Sequence, residues 1–521
     1  MKFHPGRAIR VLLLPLAAGL ALSALPVQRA VAASALVNGG FESGGSGAAR
    51  PTGWSEHGDT GASYTEAGGH RGGYRLTHYA PSAYRVETSQ RLSGLANGPY
   101  TLTAWVRSGG GQNAAHLALK NCGSAEQRTA LPVSSSGWIR IVTSIKVTVN
   151  QCTISINSDA NAGNWINVDD LTFASGTTGT SIHGADISSL AKSEAKGGVY
   201  RTHSGTRGDA VTILKNAGMN YARLKVWVHP ADGFNDKAHV LALARRIKAA
   251  GMKLLVDFHY SDTWADPGAQ AKPAAWAGHS YGRLKSDVYT HTYDVLHALK
   301  AQGTTADMVQ VGNEISGGML WSDGSTGNWT QLAALLNSGY DAVKAVDPST
   351  VVALHLAKGG DKAGTRWWFD NARANGVRFD AIGLSYYGYW DGHPLADFQA
   401  TLDDVAARYG KPVFVAETAY PFRLDSEDSL TDQIDTTGEL AFGYPATVAG
   451  QTRWMNDVAS IVEAVPKDRG LGVFYWEPTW TAVAGNGWDP ADASSGNGWE
   501  NQALFGYDDR ALSSMTWFRH R

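Results

Sequence analysis

Short apolar runs alternate with segments of helical periodicity from residue 182 onward. Strands that alternate with helices form a parallel sheet with crossover helices. Eight such repeats over about 340 residues are typical of a (β/α)8 barrel with enlarged loops. A doubly wound open sheet is the alternative, but no glycine-rich phosphate loop follows the first run. The predicted strands are residues 182–186, 220–227, 253–260, 307–314, 351–357, 380–387, 412–420 and 471–478.

The chain before this region has a different pattern. Between residues 36 and 173, β-rich runs such as 100–106, 138–149 and 152–156 are separated by Gly, Asn and Ser turns, with no sustained helical period. This pattern predicts an all-β sandwich. We expect the sandwich to span residues 34–174, a short flexible linker 175–181 and the barrel 182–521.

The first 33 residues have the pattern of a secretory signal. Three basic residues precede an apolar run over residues 11–25, and Ala30, Val31 and Ala32 supply a small-residue cleavage pattern. An uncleaved membrane helix is the alternative, but the run is short for a span of about 20 residues and contains Pro15. We therefore expect a secreted, extracellular chain with no membrane contact after cleavage.

The net charge excludes some classes of binding partner, and the two cysteines indicate a disulfide. The formal net charge is −2, which gives no field that would recruit nucleic acid or an anionic membrane. The two cysteines, Cys122 and Cys152, lie in the predicted sandwich. An exported chain meets oxidising conditions, so a disulfide is expected; a metal site lacks partner ligands.

Two carboxylates terminate predicted barrel strands. Glu314 ends the fourth strand and Glu417 ends the seventh. The carboxyl ends of barrel strands form the active site, and strands three repeats apart face each other across its mouth. Two carboxylates that flank one bond are the arrangement of a glycosidase: a short separation retains the anomeric configuration, and a wide one inverts it. A structural salt bridge is the alternative for each Glu alone.

Other strand-end residues suit the same chemistry. The Asn313 amide can hydrogen-bond a sugar 2-hydroxyl, and Arg223 can keep the nucleophile ionised and oriented. His259 can tune Glu314, although a strand-end His is as often a satisfied hydrogen-bond partner. Indole rings can act as sugar platforms or simply pack. The indoles in or beside strand-end loops belong to Trp321, Trp390 and Trp476.

Five motifs together resemble glycoside hydrolase family 53, the arabinogalactan endo-β-1,4-galactanases. They occupy residues 184–190, 257–268, 311–314, 383–387 and 417–421. The match runs in order over residues 182–515, and the long third-strand motif, Asp-Phe-His-Tyr-Ser-Asp-Thr-Trp-Ala-Asp-Pro-Gly, is its most specific part.

The resemblance implies a retaining mechanism with Glu314 as acid/base and Glu417 as nucleophile. The implied substrate is an internal bond of β-1,4-galactan, such as the side chains of pectin. Asp262 and Tyr386, which lie in the motifs, join the substrate-binding candidates. No cofactor is implied for catalysis. Some bacterial members carry a calcium ion in the loops after strands seven and eight, but residues 422–428 lack the His and Asn of that pattern, so it is not carried over.

The first domain is similar, more loosely, to jelly-roll carbohydrate-binding modules. In such modules acidic residues near both termini hold a structural calcium, so Glu42 and Asp170 are candidate ligands; an ordinary solvated pair is the alternative. Possible sugar-contacting rings are Trp54, Tyr79, Trp105 and Trp165.

Two rival functions stay open from sequence. Relatives in the same clan cut mannan, xylan or cellulose with the same pair of Glu residues, although the third-strand motif disfavours them. The second rival is a barrel that binds polysaccharide without cleaving it. Such a protein would have no reason to keep the two carboxylates together with Asn313 and Arg223. A monomer is the default assembly.

Overall fold

The computed structural model describes residues 36–47 and 50–520. The predicted signal at residues 1–33 therefore lies outside the described residues. The described chain forms two antiparallel sheets followed by a closed parallel barrel. Within residues 36–47 and 50–520, every helix is too short or too polar to cross a bilayer.

The first domain contains ten strands in two five-stranded sheets. The first sheet has the order β1-β4-β9-β6-β7 and the second has the order β2-β3-β10-β5-β8. The strands are β1 (Ser55–Gly58), β2 (Ser63–Ala67), β3 (Tyr74–Tyr79), β4 (Tyr84–Ser93), β5 (Gly98–Ser108), β6 (Ala114–Lys120), β7 (Gln127–Ala130), β8 (Ser134–Val147), β9 (Gln151–Ala160) and β10 (Trp165–Ser175).

Alternation along these strands places the apolar residues between the sheets. On β5, for example, Leu102, Ala104 and Val106 are fully buried and their neighbours are not, as expected for a strand with one face in a core. The predicted sandwich is confirmed. Cys122 and Cys152 form the predicted disulfide, which is buried.

The second domain is the predicted (β/α)8 barrel. Its eight parallel strands close between β20 and β11, and each lies within a predicted range or within one residue of it. The strands are β11 (Ile182–Asp186), β12 (Tyr221–Val226), β13 (Lys253–Phe258), β14 (Met308–Val311), the short loop strands β15 (Gly318–Met319) and β16 (Gly324–Ser325), β17 (Val351–Leu356), β18 (Ala381–Ser385), β19 (Val413–Thr418) and β20 (Gly470–Trp476).

Eight helices accompany the barrel strands. Several begin at a polar residue that caps free amides; the Asp209 carboxylate, for example, accepts from the Thr212 N–H. The helices are α1 (Leu190–Ala195), α2 (Ala210–Ala217), α3 (Lys237–Ala249), α4 (Tyr281–Ala301), α5 (Trp329–Val346), α6 (Lys362–Ala374), α7 (Leu395–Tyr409) and α8 (Val448–Glu463).

The barrel interior is apolar at one end and polar at the other. All eight strands contribute to an apolar layer that includes Tyr221, Leu255 and Met308. Residues two positions later on a strand point the same way, so the next layer receives Arg223, Asp257 and Gln310. A polar layer therefore lies next to the apolar layer, on the side of the carboxyl ends of the strands.

The two domains are joined by partly buried polar contacts. The Arg140 guanidinium on β8 donates to both carboxylate oxygens of Asp403 at 2.8 and 2.9 Å and to the Ala464 carbonyl. Gln399 on α7 exchanges two hydrogen bonds with the Arg140 backbone. The expected flexible linker is also held, because Gly176 bonds to Pro99 and its neighbours bond to the barrel.

Candidate active site

Arg223 is the centre of the polar layer. It is 1% exposed, and its guanidinium is held by four acceptors in the structure and by the carboxylate of Glu417 at 2.8 Å. A buried cation needs such neighbours because its desolvation is otherwise uncompensated. The other acceptors are Asp186 at 2.7 Å, Asp257 and Asn313 at 2.8 Å and Gln310 at 2.9 Å.

Glu417, on β19, is held at both oxygens. Arg223 contacts Oε1, and the Tyr387 hydroxyl donates to Oε2 at 3.2 Å. Burial raises the pKa of the Glu417 carboxyl, and Arg223 acts in the opposite direction. The side chain is thus fixed in orientation, with a cation that favours its ionised form.

Glu314 follows β14 in a left-handed backbone conformation, with φ 47° and ψ 45°. A non-glycine residue there is unfavourable by about 1–3 kcal/mol, and such residues cluster at functional sites. The Ser385 hydroxyl donates to its carboxylate at 2.6 Å. Burial raises the pKa of Glu314 to about 7, and the Ser385 hydrogen bond lowers it.

Both carboxylates open into one cleft of about 470 Å³. Indole and phenol rings form much of its wall; Trp476 and Trp499, for example, meet edge to face with ring centroids 4.4 Å apart. Rings beside carboxylates and amides suit a neutral sugar chain. The lining residues are Arg223, Lys225, His259, Trp264, Ala265, Asp266, Pro267, Asn313, Glu314, Ala357, Ser385, Tyr387, Trp390, Asp391, Glu417, Trp476 and Trp499.

Seven of the ten residues proposed for catalysis or substrate binding line this cleft. They are Arg223, His259, Asn313, Glu314, Trp390, Glu417 and Trp476.

Asn313 and His259 have protein partners at the base of the cleft. The Asn313 amide donates to the Ala265 carbonyl and its oxygen accepts from Arg223. His259 Nδ1 accepts from the Trp227 indole and the Ala265 N–H, so Nε2 carries the proton toward Asp257, 3.1 Å away. These contacts fix the two side chains before any ligand arrives.

Two proposed binding residues have structural contacts away from the cleft. The Asp262 carboxylate accepts from the His229 and Ala274 backbone amides, so it holds a loop. The Trp321 indole donates to the Gly317 carbonyl and does not line the cleft. Both lie in long strand-end loops, whose course the sequence pattern does not determine.

Tyr386 is the third proposed binding residue that does not line the cleft. Its side chain is 1% exposed, stacks on Phe398 and donates to the His393 carbonyl. The next residue, Tyr387, is the one whose hydroxyl reaches Glu417. The prediction that Tyr386 contacts the substrate is therefore wrong, and the neighbouring Tyr387, just past the end of β18, faces the cleft instead.

Several cleft residues were not proposed from the sequence. Lys225 lies 4.1 Å from the centroid of the Trp264 ring and pairs with the buried Glu477 at 2.9 Å. Lys225 lies two residues after Arg223 on the same predicted strand. Because alternate residues of a strand point the same way, the sequence could have indicated Lys225 as well. Ser385 and Trp499 gave no comparable signal.

The Tyr386 and Tyr387 pair allows a matched test. Tyr387→Phe removes a hydrogen bond to Glu417, so kcat should fall by about tenfold, the value of one hydrogen bond of ~1–1.5 kcal/mol. Tyr386→Phe should leave kcat unchanged and lower the free energy of unfolding by about 1 kcal/mol. Steady-state kinetics and urea unfolding of both variants check this, and a larger kcat loss in Tyr386→Phe would contradict the placement.

The calcium expected in the first domain finds no support. Glu42 accepts from the Gly73 and Tyr74 backbone amides, and Asp170 pairs with His70 at 2.7 Å. Among the residues that the structure describes, no cluster of three or more His, Cys, Asp or Glu side chains could hold a metal ion.

Comparison with known proteins covers the barrel. The family model described as glycosyl hydrolase family 53 matches residues 182–518. Endo-beta-1,4-galactanase of Bacillus subtilis is 36% identical over 65% of this chain and 85% of its own. Arabinogalactan endo-beta-1,4-galactanase of Thermothelomyces thermophilus is 34% identical over 64% of this chain and 98% of its own. The solved Ignisphaera aggregans GH53 catalytic domain is 38% identical over 66% of this chain and 98% of its own, with a TM-score of 0.63.

Proposed function

The chain belongs to glycosyl hydrolase family 53, and on that premise we propose that its barrel hydrolyses internal β-1,4-galactosidic bonds of galactan. The observation that carries the proposal is the pair of carboxylates, Glu314 and Glu417, on one cleft lined by aromatic rings. The relatives are named as galactanases, and on that basis we propose galactan as the polymer that is cleaved.

The proposed reaction has two steps. In the first, a Glu417 oxygen attacks the anomeric carbon while Glu314 protonates the departing glycosidic oxygen, which leaves a covalent glycosyl ester. In the second, Glu314 takes a proton from water, the water oxygen attacks the anomeric carbon and Glu417 departs. Two displacements retain the configuration, and both carboxyls return to their starting protonation states.

The surroundings of the two carboxyls support this division of roles. Burial raises the pKa of both, and the charge of Glu314 further raises that of Glu417, so the pair tends to hold one proton near neutral pH. Arg223 contacts Glu417, whereas Glu314 receives only a neutral hydroxyl from Ser385. A cation favours the ionised form, and we therefore assign the proton to Glu314.

The fixed base of the cleft supports efficient catalysis. Arg223, Asn313 and His259 are buried and held by protein partners, so the nucleophile is oriented before substrate binds. Catalysis by two carboxylates requires no metal ion or cofactor.

We further propose that the chain acts outside the cell as a monomer on polysaccharide. The basic and apolar pattern of residues 1–33 and the disulfide between Cys122 and Cys152 support export to an oxidising compartment.

A substrate panel tests the proposal. Reducing-sugar release by the purified chain is measured on β-1,4-galactan, mannan, xylan and a soluble cellulose derivative. Release from galactan alone is the expected result. Release mainly from another polymer would overturn the substrate and keep the mechanism, and no release from any of the four would favour the binding-protein alternative.

The pH dependence follows from the proton on Glu314. A general acid must be protonated, so kcat/KM should fall as pH rises through about 7, the pKa of Glu314. The Ser385 hydroxyl lowers that pKa, so Ser385→Ala should move the alkaline limb to higher pH. The pH profile of kcat/KM for the two proteins checks this; a limb that stays in place or moves to lower pH would contradict the assignment.

A further inference from the structure

His355 is a buried polar residue that the proposed reaction does not use. It lies on β17, two residues after Ala353 of the apolar layer, so its ring points into the polar layer. The ring is fully buried and does not line the cleft. Burying an imidazole costs free energy unless its ring nitrogens are hydrogen-bonded, and its contacts therefore indicate its role.

The Nε2 side of the ring meets Ser385. Nε2 lies 2.8 Å from the Ser385 hydroxyl oxygen, and that hydroxyl donates its single proton to Glu314 Oε1 at 2.6 Å. The hydroxyl oxygen can therefore only accept from the ring, so Nε2 carries the ring proton. The three side chains form a chain of hydrogen bonds that runs from His355 to the general acid.

The Nδ1 side of the ring has mainly donors around it. The Gln310 amide lies 3.0 Å away and the Glu314 backbone N–H 3.4 Å away. One acceptor, the Asn313 side-chain oxygen, lies at 2.9 Å and already accepts from Arg223. Because donors outnumber acceptors here, Nδ1 accepts. Burial holds the pKa of His355 well below its ordinary value, so the ring stays neutral with its one proton on Nε2.

His355 thus connects the polar layer to the general acid. Gln310, which donates to Nδ1, also accepts from the Arg223 guanidinium at 2.9 Å, and Arg223 contacts the nucleophile directly. One buried network therefore reaches both carboxylates. A hydrogen bond is stronger when its donor is itself polarised by another hydrogen bond, so the ring strengthens the bond that Ser385 donates to Glu314.

We propose that His355 is a positioning residue for the general acid: its neutral ring fixes the Ser385 hydroxyl so that the hydroxyl donates to Glu314. The inference rests on the proposed function, in which Glu314 is that acid. Without the ring, the Ser385 hydroxyl can rotate away and its bond to Glu314 weakens. Loss of His355 should therefore act on Glu314 in the same direction as loss of the Ser385 hydroxyl.

The charged groups around the chain of hydrogen bonds are unaffected by a neutral replacement at position 355. Those near the ring are Arg223 on β12, Asp257 on β13 and His259 just after it. A changed titration of Glu314 would therefore report the hydrogen-bond chain and not a lost charge. The ionisable groups near Glu314 are Arg223, Asp257, Asp266, Tyr387 and Glu417.

Two neutral replacements of different length test the proposal. In His355→Gln the side-chain amide extends to the position of Nε2 and can still donate to Ser385, whereas in His355→Asn it ends near the position of Nδ1. The alkaline limb of kcat/KM on β-1,4-galactan should move to higher pH by about 0.5 to 1 unit in His355→Asn, the effect of one hydrogen bond on an ionisation. The limb should stay in place in His355→Gln. His355→Asn combined with Ser385→Ala should move it no further than Ser385→Ala alone.

His291→Asn provides the matched control. His291 lies on α4 with its Nε2 buried, and its ring packs against Phe258, Tyr260 and Trp276. Its replacement should lower the free energy of unfolding and leave the alkaline limb in place. A merely structural role for His355 gives that same result in His355→Asn, which would overturn the proposal. Additive shifts in the double variant would overturn it as well.

A titration without substrate separates this inference from the proposed function. The Glu314 carboxyl carbon in carbon-13-labelled protein is followed by NMR against pH, with its signal assigned from Glu314→Gln. The midpoint should rise in His355→Asn and not in His355→Gln. If it does so but the wild type does not cleave galactan, the proposed function fails and the positioning role stands. If galactan is cleaved but neither the midpoint nor the limb moves in His355→Asn, the positioning role fails and the function stands.

The tautomer of His355 gives a test in the wild-type protein. Nitrogen-15 NMR of histidine-labelled protein near neutral pH should show a neutral ring with its proton on Nε2, assigned by the signal that is missing in His355→Gln. A proton on Nδ1 would leave the Ser385 hydroxyl donating to the ring and not to Glu314. That result would overturn the proposal even if His355→Asn does not fold.

Discussion

Glu417→Ala should lower kcat on β-1,4-galactan by on the order of 10⁵ to 10⁶-fold, the range seen when a catalytic nucleophile is removed. The variant keeps Glu314, and it leaves a space beside Arg223 on the nucleophile's face of the sugar. With an aryl β-galactobioside, added azide should therefore restore part of the rate. Because azide attacks where Glu417 attacked, the product should be the α-galactobiosyl azide.

The exposed Glu439, which lies in the loop after β19, provides a matched control. Glu439→Ala removes a carboxylate of the same length and should leave kcat within about twofold, since it lies outside the cleft lining. Product analysis by NMR and calorimetric binding of galactotetraose to both variants complete the test. Near-normal turnover in Glu417→Ala, or azide products of β configuration, would contradict the nucleophile assignment.

Arg223→Ala should strongly destabilise the barrel. It removes the cation that faces Asp186, Asp257 and Glu417 in a fully buried layer. Removing one partner of a buried ion pair costs about 3–5 kcal/mol, because the remaining charge loses its compensation. Since Glu417 also loses its orientation, kcat should fall by on the order of 10² to 10³-fold.

Arg246 offers the comparison at the surface. It pairs with Glu194 and Asp209, and its side chain is 35% exposed, so Arg246→Ala should cost about 0–1 kcal/mol. Urea unfolding at constant pH measures both variants. Equal losses of stability in the two would show that the polar layer does not depend on Arg223.

The barrel strands could be predicted because their apolar runs are short, bounded and separated by helical segments. Glu314 and Glu417 were found for the same reason, since each carboxylate interrupts an apolar strand at its end. Because burying a charge costs free energy, a carboxylate at the end of an apolar strand indicates a functional role. The disulfide followed from the presence of only two cysteines in one predicted domain.

The finer choice between neighbours could not be predicted. Tyr386 and Tyr387 follow β18, and the pairing of β18 with β19 skips one residue between Leu384 and Ser385. The skipped residue is Ala416 of β19, next to Glu417, whereas the two tyrosines lie beyond the last residue of β18. Apolar periodicity therefore does not report which of them faces the cleft. The roles of Asp262 and Trp321 depend on loop contacts between segments far apart in the chain.

The anomeric configuration of the first product distinguishes double displacement at Glu417 from direct attack by water. Wild-type enzyme is mixed with β-1,4-galactan, and the reducing-end signals are followed by proton NMR before mutarotation equilibrates them. The β-anomer should appear first, because two displacements at the anomeric carbon retain the configuration. Initial release of the α-anomer would show direct attack by water and would contradict the role of Glu417 as nucleophile.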